Sequence, residues 1–213
     1  MSEPSGPVDK QGIAFGPLGE TWVHLCIDMQ RMFAEATDWQ TQWMPIVLPQ
    51  VVRLVELAPE RTVFTRFVPA LSAADAHGTW QRYYERWPGM TLDRLPPELV
   101  NLMPELDGFV PPARVLDKRV YSPWADGTLH ATLRGLGVDT VIISGAETEV
   151  CVLAAVIGAI DLGYRVIIAT DAVCSSADQT HDAALEVYNC RFGMQVEAVT
   201  VAQLIEAKLD GML

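Results

Sequence analysis

From residue 22 onward, short and almost wholly apolar runs alternate with longer segments in which apolar residues recur at helical spacing. Residues 22–27 (WVHLCI), 61–67, 114–118, 139–144 (DTVIIS), 165–169 (RVIIA) and 195–199 read as strands, being short and rich in β-branched or aromatic residues. Residues 44–57, 79–87, 127–136, 149–162, 178–189 and 201–209 read as helices; Gly135 and Gly137 close one of them and Gly163 another. Strands that are apolar on both faces and separated by helices predict an α/β fold, a parallel sheet covered on both sides. Residues 1–20, with three prolines and four glycines, read as an N-terminal arm ahead of a single domain over 21–213. The proline-rich stretch 68–113 breaks the rhythm. It reads as an insertion with short helices, one of them aromatic, that could cover a pocket.

Charge narrows the partners. The 213 residues carry 15 Lys and Arg against 27 Asp and Glu, a net charge of -12. That field repels phosphate backbones and anionic lipid surfaces, so neither nucleic acid nor a membrane is the expected partner, and a small-molecule substrate is. The most apolar run, residues 151–160, is too short to span a bilayer, and the first twenty residues lack a signal-peptide pattern. Cys26, Cys151, Cys174 and Cys190 show no C-x-x-C spacing, which argues against a zinc knot or a disulfide framework. A cytoplasmic protein with reduced thiols is expected.

In open parallel sheets, ligands sit beyond the carboxyl ends of the strands. Asp28 ends the first strand, Lys118 ends the third, and Cys151 opens the helix after the fourth, so three reactive groups are sent to one edge. A thiol at a helix start feels the positive end of the dipole, which favours thiolate; the alternative is a packed core cysteine. Asp28 is either a desolvated carboxylate needing a partner or a turn aspartate. Lys118 is either that partner, holding the carboxylate ionised and stabilising a thiolate, or a surface lysine.

The run from Gly145 through Cys151-Val152, with Thr148 and the acidic Glu149 between them, resembles the signature of the isochorismatase-like cysteine hydrolases. KRVYSPW, beginning at Lys118, is similar to their lysine motif, and CIDMQRMF to the opening motif that carries their aspartate. The likeness covers residues 20 to 205 or thereabouts. It implies a three-layer α/β/α sandwich with a six-stranded parallel sheet and a homo-oligomer. It also implies an Asp28–Lys118–Cys151 triad cleaving an amide, carbamoyl or ureido C–N bond through an acyl-enzyme. A cis peptide at Ala146–Glu147 follows from the same likeness, aiming the Glu147 and Cys151 N–H groups at a developing oxyanion.

Metal-dependent nicotinamidases of this superfamily carry Asp-x-His after the second strand; TRFVPALSAADAH stands here instead. His24, His77, His130 and His181 show no ligand spacing, so neither metal nor other cofactor is expected. Arg66, at the end of the second strand, could bind a substrate carboxylate or form a surface ion pair. Phe33, Trp80, Trp87 and Trp124 are candidates for the pocket wall, with packing as the alternative for the tryptophans. Residues 151–161 are apolar on every face, which suits full burial or a subunit contact. Three other functions compete: vinyl-ether hydrolysis with Asp28 as acid, which the presence of the cysteine disfavours; a non-catalytic binding or redox-sensing member of the fold; and a nucleotide-binding protein, which lacks G-x-G-x-x-G after the first strand.

Overall fold

The computed structural model describes residues 13–210. In chain order the elements are β1 (Trp22–Ile27), α1 (Arg31–Ala34), α2 (Met44–Leu57), β2 (Thr62–Phe67), α3 (Thr79–Arg86), α4 (Pro104–Asp107) and β3 (Arg114–Lys118). There follow α5 (Thr128–Gly135), β4 (Thr140–Ala146), α6 (Cys151–Asp161), β5 (Arg165–Cys174), α7 (Asp178–Cys190), β6 (Val196–Val199) and α8 (Val201–Asp210). The six strands form one sheet in the order β3-β2-β1-β4-β5-β6, and every pairing is parallel.

Side-chain alternation along β1 explains the layers. Trp22 and Cys26 face a core built with Val47, Val51 and Leu54 of α2 and Leu204 of α8. Val23, Leu25 and Ile27 face the opposite core with Leu133 of α5, Val152, Val156 and Ala159 of α6, and Tyr188 of α7. The result is a three-layer α/β/α sandwich. The apolar helix α6 lies in the second core, with Cys151, Val152, Ala155, Val156 and Ala159 buried and Leu153 and Ile160 partly so.

His24 points to the α2 face yet is fully enclosed, hydrogen-bonded to Ser144 Oγ at 2.8 Å and Thr62 Oγ1 at 3.3 Å. Burial lowers its pKa to about 3, so it is a neutral structural group.

Residues 1–12 of the expected arm lie outside the described residues. Beyond them, Leu18 is buried, the Phe15 N–H donates to Glu197, and Arg165 donates to the Gly16 and Pro17 carbonyls. This stretch is docked on β5 and β6. The 68–113 stretch holds α3, α4 and three 3-10 turns, and it has a small core of its own in Met90 and Leu95, packed with Met32 and Phe67. Gln30 ties it to the sheet: its side chain donates to the Phe67 and Val100 carbonyls and accepts from the Phe67 N–H. A buried amide thereby has its donors and acceptor met while fastening the insertion over the end of β2.

Candidate active site

Three loops meet at the carboxyl edge of the central strands. Asp28 leaves β1 with φ 51°, a left-handed conformation that aspartate tolerates better than most residues. Its backbone N–H bonds the Thr65 carbonyl, and Thr65 Oγ1 donates to its Oδ1 at 2.5 Å. The close pairing of β1 with β4 here requires Gly145, at φ 109°, because a Cβ would collide with the Ile27 backbone.

Lys118 ends β3 and reaches across the end of β2. Its Nζ lies 2.6 Å from Asp28 Oδ2, 3.2 Å from the Val120 carbonyl and 3.6 Å from Cys151 Sγ. Asp28, Lys118 and Cys151 are respectively 1%, 7% and 7% exposed, so a carboxylate, an ammonium and a sulfur share one buried site. Cys151 is the first residue of α6, where a backbone N–H has no intrahelical acceptor. The Ala146–Glu147 peptide just before it is cis.

Electrostatics here depart from the sequence expectation of a thiolate. The Cys151 thiol is pushed well above its ordinary range, first by burial and then by the Asp28 charge, with Lys118 opposing both. Charge arithmetic gives the reason: Lys118 already balances Asp28, and a thiolate would place a second anion against one cation out of water. On Lys118 burial acts downward, but the Asp28 and Cys151 interactions outweigh it and raise the ammonium. The resting site is therefore an ion pair beside a neutral thiol.

A cavity of about 270 Å³ opens above the sulfur. Phe33, Trp39, Phe67, Tyr83, Trp87 and Tyr121 supply its aromatic walls, while Ala146, Glu147, Val150 and Cys151 form the base. Of the candidates for the pocket wall, Phe33 and Trp87 line this cavity. Trp80 stands one ring behind, 4.8 Å from Tyr121 and 6.0 Å from Phe67 between centroids.

Two candidates are placed elsewhere. Arg66 alternates outward from β2 and pairs bidentately with Asp117 of β3 at 2.7 and 2.9 Å, which corrects its reading as a carboxylate receptor in the pocket. Trp124 is a core residue and not a wall residue. Its indole donates to the Ala155 carbonyl at 2.8 Å and fills the space left by Gly158, where a Cβ would collide with the ring.

The sequence reading missed Asp38, Trp39, Gln40, Tyr121 and Ser176, all of which line the cavity. The signal was faint: two tryptophans in the polar run TDWQTQW, and a tyrosine three residues after Lys118. His181, one of the histidines without ligand spacing, meets Thr148 Oγ1 at 2.8 Å through its Nδ1. Among the described residues, no three His, Cys, Asp or Glu side chains are grouped to hold a metal ion, and no helix is long and apolar enough to cross a membrane.

Comparisons with known proteins agree with this architecture. A cysteine hydrolase from Pseudomonas syringae pv. phaseolicola 1448A superimposes with TM-score 0.79 over 95% of this chain and 99% of that one, at 20% identity. An uncharacterized isochorismatase family protein, YwoC of Bacillus subtilis, is 27% identical over 79% of this chain and 91% of its own length. A probable inactive nicotinamidase of Arabidopsis thaliana is also 27% identical, over 78% of this chain and 88% of its own. Family membership supports a hydrolase of this general class. The isochorismatase domain model matches residues 23–202, and the chain belongs to that family.

Proposed function

We propose that the protein hydrolyses a C–N bond of a small amide, carbamoyl or ureido compound, with Cys151 as nucleophile, Asp28 as proton carrier and Lys118 as the charge that holds both. The observation that carries this reading is the Lys118 ammonium within reach of both the Asp28 carboxylate and the Cys151 sulfur.

The neutral thiol shapes the sequence of steps. As Sγ attacks the carbonyl carbon, its proton passes to Asp28, so no free thiolate needs to form in the buried site. The carbonyl electrons move to oxygen, where the N–H of Cys151, and that of Glu147 beyond the cis bond, are the candidate donors. When the tetrahedral species collapses, Asp28 gives its proton to the leaving nitrogen and the C–N bond breaks. Water then attacks the thioester as Asp28 takes the water's proton; when the C–S bond breaks, Asp28 passes that proton to the departing sulfur, which restores the thiol and the carboxylate. Lys118 remains an ammonium throughout.

A relative described as probably inactive makes a non-catalytic role the reading to exclude. Screening carbamoyl, ureido and carboxamide compounds for ammonia release is expected to yield turnover that Cys151→Ala lowers at least about a thousandfold without unfolding the protein. Activity that survives the substitution would remove the cysteine from the mechanism. Vinyl-ether cleavage by Asp28 separates on the same logic, since it would persist after iodoacetamide treatment.

A further inference from the structure

The cavity above Cys151 is charged in one sense only. Of its described lining residues, Asp38 and Glu147 are acidic and none is Lys, Arg or His. Burial pushes the Tyr83 and Tyr121 phenols up, so both are neutral near pH 7. Neither carboxylate is neutralised from within. Among the described residues the Asp38 side chain has no hydrogen-bonding or ionic partner, and Glu147 accepts one backbone N–H, from Ser176 at 3.0 Å.

The cations nearby are committed elsewhere. Lys118 Nζ lies beneath the Phe67 ring, 5.2 Å from its centroid, and is engaged by Asp28. The Arg86 guanidinium stacks on Trp87 at 5.0 Å without lining the cavity. Arg66 points outward from β2 and is closed on Asp117. The Trp39 indole N–H is out of solvent's reach, so it offers an incoming anion no contact.

Aromatic faces present negative quadrupoles, and two carboxylates reinforce them; that combination attracts organic cations. The net charge of -12 adds a long-range field of the same sign. A cavity of about 270 Å³ admits only a small molecule.

We infer that the wall selects substrates whose non-reacting end is a small organic ammonium, protonated or quaternary, and disfavours those ending in a carboxylate. The ammonium sits among Phe33, Trp39, Tyr83 and Trp87 beside Asp38, leaving the carbonyl to reach the sulfur at the base. This selection rests on the hydrolase reading for its meaning as substrate choice.

Binding tests it independently of turnover. Calorimetry on the full-length protein would compare phenyltrimethylammonium, benzyl alcohol and benzoate, none of which carries a cleavable amide. Phenyltrimethylammonium is expected to bind at least about tenfold more tightly than benzoate. Asp38→Asn, a change at an exposed loop position, should weaken the cation severalfold and leave benzyl alcohol unchanged. Benzoate binding as well as the cation, no detectable cation binding at millimolar concentration, or a cation affinity indifferent to Asp38→Asn would each overturn the inference. The hydrolase reading fails separately, by the absence of Cys151-dependent ammonia release.

Discussion

The base and the wall of the pocket are built on different principles. At the base, Asp28, Lys118 and Cys151 hang from the ends of β1 and β3 and the start of α6, and the sheet register leaves them little freedom. Apart from Phe67 at the end of β2, the wall comes from segments outside the sheet: Phe33 of the short α1, the loop holding Asp38, Trp39 and Gln40, the α3 helix with Tyr83, Trp87 just after it, and Tyr121 beyond β3. Chemistry is thus placed by regular structure, and recognition by segments that can vary without disturbing the sheet.

Asp28→Asn would strain this contrast most. It removes the proton carrier and leaves a buried ammonium unpaired, so activity should drop at least about a thousandfold and stability by about 3 kcal/mol. Denaturant unfolding and turnover would be measured together; intact stability would mean that the Lys118–Asp28 pair is not desolvated as described.

Trp39→Ala should act mainly on recognition. The ring contacts Phe33, Phe67, Tyr83 and Tyr84, so a loss of about 1–3 kcal/mol is expected. KM should rise about tenfold or more with a smaller change in kcat, because the base is untouched. A fall confined to kcat would make the wall part of the chemistry.

Alkaline pH reaches the base through its thiol, and the comparison with Cys151→Ala isolates that contribution from the other buried thiols and phenols. Cys151 and Lys118 both titrate above their ordinary values in the folded protein, so the folded state binds their protons more tightly than the unfolded chain does. Their contribution to stability is complete below about pH 9 and is lost as pH rises through the shifted values. The stability of Cys151→Ala should therefore decline less between pH 8 and pH 10 than that of the parent protein.

The smallest effect belongs to Arg66→Ala. Its pair with Asp117 is largely exposed, so about 0–1 kcal/mol and unchanged kinetics are expected. A substantial KM increase would return Arg66 to the pocket.

The same division governs what the sequence makes legible. β1, α2 and β3 begin and end where their apolar patterning predicts, and three chemically distinct residues at strand ends stand out once a parallel sheet is inferred. α6 starts two residues later than its pattern suggests. Glu149, within the expected helix, instead accepts hydrogen bonds from Ser175 and Thr180. β5 runs five residues further, to Cys174, across the polar Thr170 and Asp171; Asp171 earns its place by accepting the N–H of Val201 at the start of α8. Periodicity carries no trace of such long-range contacts. Trp39 and Tyr121 are hidden for the same reason: only tertiary packing gathers their rings around one cavity. Trp124 misleads in the opposite direction, since its proximity to the lysine motif says nothing about the Gly158 notch that receives it.

Intact-protein mass spectrometry after brief exposure to p-nitrophenyl acetate, an activated acyl donor, addresses the triad most directly. A single acetyl group on Cys151, formed rapidly in the parent protein and not in Asp28→Asn, is the expected result. Acetylation at another residue, or at Cys151 at the same rate without Asp28, would contradict a thiol activated by the carboxylate it shares with Lys118.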